Sequence, residues 1–145
     1  MQAVTFTYRV DGGDLVRAGE ASGRMKLALK KLGLPPELIR RAAICMYEGE
    51  INMVIHADGG SVDVTVSLDA IIIRLSDTGP GIADVAQAME EGFSTAGEAA
   101  RELGFGAGMG LPNMARYSDE MIVDSVVGKG TSVTMKLYIQ PLASP

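Results

Sequence analysis

The chain has no tryptophan, one cysteine and one histidine in 145 residues, and aromatic residues make up 5% of it. A single cysteine excludes an intrachain disulfide framework and any metal site built from several thiolates. No Ser/His/Asp or Cys/His constellation is present that would support nucleophilic catalysis. Positive charge is in deficit: the net charge is −5, which argues against nucleic acid or an anionic membrane as the main partner. No apolar run approaches the roughly 20 residues of a membrane span. The N-terminus lacks a basic region followed by an apolar stretch, so no signal peptide is expected and a cytoplasmic location is the simplest reading. Two phosphate-binding patterns are also missing. No register satisfies G-x-G-x-x-G, and there is no G-x-x-x-x-G-K-[ST].

What is there is enough apolar residue for one core. Hydrophobic residues are 47% and charged residues 21% of the chain, the composition of a globular domain. Residues 3–10 alternate like a half-buried strand. Asp14 is placed to cap a helix in which Leu15, Ala18, Ser22, Met25, Leu29 and Leu32 recur every three or four residues before Gly33. A second helix is predicted from Pro36 or Glu37 to about Ala57, with Ile44, Tyr47, Ile51 and Val54 as its apolar stripe. Residues 61–68 and 71–76 read as strands around a tight turn at Asp69-Ala70. A short helix over 83–91 follows, then a mobile loop over 92–108, rich in glycine and without a period. A helix from Met109 to Tyr117 and strands over 119–126 and 131–139 complete the pattern, with a loose tail after Pro141. Short connections imply antiparallel pairing, so the expected fold is α/β. It is a two-layer sandwich, with helices on one face of a mixed, mostly antiparallel sheet. A single domain over 1–140 with a tail over 141–145 is expected.

Three clusters carry candidate chemistry. Glu48 and Asn52 stand at i and i+4 of the second helix and share a face. An amide oxygen there suits Mg²⁺, which takes few protein ligands, and a nearby carboxylate suits proton abstraction. The pair alone also fits an ordinary solvated helix face. Asp77-Thr78-Gly79-Pro80-Gly81-Ile82 puts a carboxylate at the end of a very apolar strand, beside glycines that allow close backbone approach. The carboxylate can accept a hydrogen bond from the adenine amine, but a plain turn has the same composition. Gly104-Phe105-Gly106-Ala107-Gly108-Met109-Gly110-Leu111 runs into a helix. Bare N–H groups near a helix N-terminus favour phosphate oxygens. His56 lies one helical turn past Asn52, and Cys45, on the same helix, reads as a small buried apolar residue.

In this order, and followed by Gly128-Lys129-Gly130-Thr131, the clusters resemble the N box and the two glycine boxes of the GHKL ATPase superfamily. The chain is similar in particular to the bacterial anti-sigma factor and serine-protein kinase branch, the partner-switching kinases, over about residues 4–139. Glu48-x-x-x-Asn52 with His56-Ala57 matches the N box, Asp77-x-Gly79-x-Gly81-Ile82 the first glycine box, and Gly106-Ala107-Gly108-Met109-Gly110-Leu111-Pro112 the second. The resemblance implies a Bergerat-type ATP-binding fold with ATP and Mg²⁺ as cofactors. It implies Glu48 as general base, Asn52 as Mg²⁺ ligand and Asp77 as adenine acceptor. Gly79, Gly81 and Ile82 would shape the ring pocket. Gly106, Gly108 and Gly110 would contact the phosphates, with Met109 and Leu111 among the nucleotide-binding residues and Thr131 near adenine through water. Arg24 matches a basic position that contacts phosphate or partner. Gly49 and Glu50 depart from the pattern, placing a flexible residue and a second acid inside the N box.

The function so implied is an ATP-dependent serine/threonine kinase of anti-sigma type that phosphorylates a small protein antagonist. A sigma factor and a second copy of the chain are further expected partners; nucleic acid and membrane are not. The alternative is a nucleotide-gated switch that sequesters a regulator without useful phosphotransfer. Without a histidine-bearing dimerisation helix or sensor domain, a sensor histidine kinase is not expected, nor are the transducer domains of larger relatives.

Overall fold

The computed structural model describes residues 3–13, 16–57, 59–90 and 110–139. In chain order the elements are β1 (Val4–Asp11), α1 (Glu20–Lys31), α2 (Pro36–His56), β2 (Gly59–Val66), β3 (Ala70–Ser76), α3 (Val85–Ala88), α4 (Gly110–Tyr117), β4 (Glu120–Val126) and β5 (Gly130–Tyr138). The five strands form one sheet in the order β1-β2-β3-β5-β4, and all four pairings are antiparallel. The expected two-layer sandwich is therefore observed; where a mixed, mostly antiparallel sheet is expected, every pairing among the described residues is antiparallel. The expected loop over 92–108 and the tail after Pro141 lie outside the described residues, as does Met109, the expected start of α4.

Alternation decides which face of the sheet meets the helices. Across the strands, Tyr8, Val62, Leu75 and Val133 stand in register, as do Val64, Ile73 and Met135 one pleat along, and all are buried. The opposite face carries Thr5, Thr65, Ile72, Lys136 and Glu120 in one row and Thr7, Asp63, Arg74, Thr134 and Ile122 in the next, the two isoleucines exposed among polar neighbours. Its cross-strand bonds are polar: Thr7 Oγ1 donates to Asp63 Oδ1 at 2.8 Å, and Arg74 Nε reaches Ser132 Oγ at 3.4 Å. One face of the sheet thus belongs to the core and the other to water.

Helix α2 is the spine of the core. It buries Leu38, Ile39, Ala42, Cys45, Met46, Ile51, Met53 and Val54, so the expected stripe is only partly right. Ile51 and Val54 are buried, Ile44 is half-buried and Tyr47 is exposed at its edge, because the Tyr47 ring packs beside Gly19 instead of against the sheet. Gly49 faces Leu75 of β3, and a Cβ at Gly49 would overlap the Leu75 side chain. The glycine in the N box is therefore a close-packing residue that lets α2 approach the sheet.

Helix α1 differs from expectation at its start. It begins at Glu20, not near Leu15, because Gly19 adopts a left-handed conformation, φ 97° and ψ −9°, just before it. Asp14 and Leu15 lie outside the described residues, so the expected Asp14 cap is not among the contacts seen. The N–H groups of Gly19, Ala21 and Ser22 instead donate to the Glu50 carboxylate of α2.

Candidate functional site

Helix α2 and helix α4 run antiparallel, and their contacts form a ladder that descends from the candidate site into the core. Gly110 lies against the Asn52 side chain, where an added Cβ would stand 2.9 Å from Nδ2. One turn lower, Asn113 Nδ2 donates to Glu48 Oε1 at 3.3 Å. Below that Cys45 Sγ meets the Met114 carbonyl at 3.8 Å, and both residues are fully buried. At the foot, Arg41 donates through Nε to the Tyr117 carbonyl and through Nη2 to Asp119 Oδ1, each at 3.1 Å. The polar rungs therefore lie at the site and the apolar rung in the core, with an ion pair closing the far end. This ladder fixes the helix that the glycine stretch feeds relative to Glu48 and Asn52.

Glu48 is half-buried, and that burial pushes its carboxyl above the usual range, while the bond from Asn113 pulls it back down. Burial lowers the pKa of His56, disfavouring its charged imidazolium form. Burial also pushes the Cys45 thiol up to about 12, which leaves it a thiol and inert.

The turn after β3 is built around Asp77. Its Oδ1 accepts from Gly79 N at 2.9 Å and from Thr131 N at 3.2 Å, while its own N–H donates to the Thr131 carbonyl at 2.9 Å. Oδ2 takes no hydrogen bond among the described residues. One oxygen is thus held by backbone, which aims the other. The Gly79 Cα closes on the end of α2, where a Cβ would come within 2.6 Å of Ala57 Cβ. Gly81 has φ 79°, and a Cβ there would lie 2.5 Å from the Val126 carbonyl, so both strain and space require glycine. Ile82 N donates to Ser125 Oγ at 2.7 Å, and Ser125 Oγ in turn meets Thr131 Oγ1 at 2.8 Å.

The structure thus brings together Glu48, Asn52 and Gly110 on one side, and Asp77, Gly79, Gly81, Ile82 and Thr131 on the other, joined where Gly79 meets Ala57. Leu111 is buried at the start of α4. Gly106, Gly108 and Met109 lie outside the described residues. Arg24 is apart from this group, exposed on α1 with its guanidinium 5.7 Å from the centre of the Tyr8 ring. Glu50 points away from the site and holds α1, so it is no second base beside Glu48. Two residues were missed by sequence reasoning. Asn113 carried a signal, one helical turn past Gly110. Ser125 faces Thr131 across the hairpin register, which the turn at 127–130 could have shown.

A helix pair bearing an acid and an amide, over an antiparallel sheet and beside a carboxylate-glycine turn, defines a nucleotide-binding domain of one class. The model of the histidine kinase-, DNA gyrase B- and HSP90-like ATPase family matches residues 40–141, and the chain belongs to that family. Within it the chain is similar to proteins named as a serine/threonine kinase and as anti-sigma F factors. It is 33% identical to a protein named serine/threonine-protein kinase RsbT of Bacillus subtilis, over 72% of this chain and 75% of that one. It is 35% identical to an anti-sigma F factor of a Thermoanaerobacter species, over 71% of this chain and 64%, just under two thirds, of that one. To an anti-sigma F factor of Caldanaerobacter subterraneus it is 38% identical, over 83% of this chain and 85% of the other. No helix among the described residues is long and apolar enough to cross a membrane.

Proposed function

We propose that the chain is an ATP-dependent serine/threonine protein kinase of the anti-sigma type, acting on a small protein antagonist in a partner-switching module. The observation that carries this is the α2–α4 ladder: Gly110 against Asn52 and Asn113 on Glu48 set the acid and the amide beside the end of the glycine stretch. The relatives' names, a serine/threonine kinase and anti-sigma F factors, support the same reading. A sigma factor and a second copy of the chain are proposed as further partners, and the cytoplasm as the location.

Each residue has a task in this reading. Asp77 Oδ2 accepts from the adenine amine while Oδ1 stays with Gly79 and Thr131. Gly79, Gly81 and Ile82 floor the ring, and the Ser125–Thr131 hydroxyl pair offers a polar edge beside it. Gly106, Gly108, Met109, Gly110 and Leu111 line the phosphates. Glu48 removes the proton of the acceptor hydroxyl; its raised pKa is apt for that, since a stronger carboxylate base accepts the proton more readily. The donor set fits Mg²⁺ carried in with the nucleotide. Asn52 would supply one amide oxygen, and the described residues contain no cluster of three or more acids, histidines or cysteines, so phosphate and water oxygens would complete the shell. The ion would neutralise phosphate charge, and the chain's contribution is chiefly positioning.

The test is labelled ATP·Mg²⁺ with the protein and host lysate, with the labelled product identified and the residue it carries mapped. Label on a serine or threonine of a small protein is expected, and its absence with Glu48→Gln. Tight ATP binding without transfer to any protein would overturn the kinase in favour of the nucleotide-gated switch.

A further inference from the structure

Glu50 sits in the middle of α2 with 2% of its surface exposed. A carboxylate removed from water this fully is costly unless its charge is met. No arginine or lysine among the described residues forms an ion pair with it. What meets it is backbone: Oε2 accepts from Gly19 N at 3.0 Å and Ala21 N at 3.1 Å, and Oε1 from Ser22 N at 3.0 Å. These are the donors that an isolated helix leaves unpaired at its N-terminus, where the helix dipole also favours negative charge. Gly19, at the cap position of α1, has no side chain to do this. The cap of α1 is therefore supplied by α2.

The direction of this contact matters. A leucine at position 50 would fill the volume and leave α1 free to rotate or slide. Three directed N–H bonds are satisfied at one position of the α1 start only. On α2, at 3.6 residues per turn, Glu50 lies about 200° around from Glu48, while Asn52 lies about 40° from it. This one turn of helix is held on three sides: by α4 through Asn113 and Gly110, by β3 through the Gly49–Leu75 contact, and by α1 through Glu50.

We propose that Glu50 is a positioning residue: its carboxylate clamps the first turn of α1 to α2 and so sets the rotation at which α2 presents Glu48 and Asn52. The proposal rests on the reading of that pair given above for its catalytic consequence, but not for its structural one. The clamp is lost in part in Glu50→Gln, which keeps size and one acceptor oxygen but turns an amide donor toward the N–H groups. Glu50→Asp keeps the charge and shortens the reach. Leu29→Ala, in the buried part of α1 away from its first turn, serves as a control for destabilisation alone.

Two readouts test it, both well below the melting temperature. In the nucleotide-free protein, the side-chain amide NMR signals of Asn52 and Asn113 should move in Glu50→Gln or Glu50→Asp and stay in Leu29→Ala. At saturating ATP, kcat per folded molecule should fall about 10- to 100-fold in the Glu50 variants, the order expected for a small misplacement of reacting groups, and hold in Leu29→Ala. Unmoved Asn52 and Asn113 signals in a folded Glu50 variant would overturn the proposal, as would an undiminished kcat. A parent protein that transfers no phosphate would end the kinase reading, and the amide signals would still decide the clamp.

Discussion

Glu48 combines two opposing influences, burial that raises its pKa and the Asn113 amide that lowers it. Because the folded state holds the proton more tightly than the unfolded chain, stability falls as pH rises from the ordinary carboxylate value through the raised one. Glu48→Gln should abolish that slope, which urea midpoints measured across pH 4–7 would check (a window on the order of the reference carboxylate range and above). The same variant should keep ATP binding and lose phosphotransfer by about 10²–10⁴, read from labelled product. Asn113→Ala removes the lowering influence, so the acidic limb of the pH–rate profile should move further up. Asp77 belongs to a different part of the site. Guanine would set a carbonyl oxygen against Oδ2, and an unmatched buried acceptor pair costs about 1–3 kcal/mol. ATP should therefore bind about 5- to 150-fold better than GTP by calorimetry. Equal affinities would remove Asp77 from the adenine site.

The α2–β3 and α2–α4 contacts make distinct demands on their elements. Gly49→Ala forces a methyl into the Leu75 side chain, and overpacking of this kind costs about 1–3 kcal/mol. Chemical denaturation should show that loss with an unchanged slope, despite alanine being the better helix former. Met114→Ala empties the apolar rung of the ladder, where Met114 is fully buried. A loss of about 2–5 kcal/mol is expected there, with ATP affinity reduced as α4 loses its seat beside Asn52. Asp119→Ala, by contrast, removes the partly exposed ion pair at the foot of the ladder together with the bond that Asp119 Oδ2 accepts from Tyr138 N at 2.7 Å, and should cost about 1–2 kcal/mol.

The single sheet and its helical layer leave one covered face, and in the proposed reading the nucleotide lies at the edge of the helical layer, where Gly79 meets Ala57. A ligand bound only by the folded chain stabilises it in proportion to the logarithm of its concentration. At 100 times its Kd, ATP·Mg²⁺ should add about 2.7 kcal/mol. For a chain of this size that is a melting shift of about 8 °C, at about 3 °C per kcal/mol. At the same nucleotide concentration the shift should shrink in Asp77→Asn if the carboxylate selects adenine, because a weaker site is less saturated. A scan with ATP, GTP and no nucleotide measures it directly.

Much of this arrangement was legible in the residues themselves. Strand alternation at 61–68 and 71–76, and the helix punctuation by Pro36 and Gly59, come from local chemistry, so those elements fell within a few residues of their predicted places. The candidate site residues Glu48, Asn52, Asp77, Gly79, Gly81 and Ile82 were also visible, because their spacing is set within one helix or one turn. What depends on contacts between distant segments was not. The start of α1 at Glu20 follows from Gly19 and from a carboxylate 28 to 31 positions away, which no local cap signal at Asp14 could reveal. Gly49 looked like a flexible residue in a helix until Leu75 was seen against it. Glu50 looked like a second acid at the site until its neighbours proved to be backbone N–H groups. Sequence patterns report a residue's own conformational preference and the face it shares. Only the tertiary structure decides which group from elsewhere in the chain meets that face.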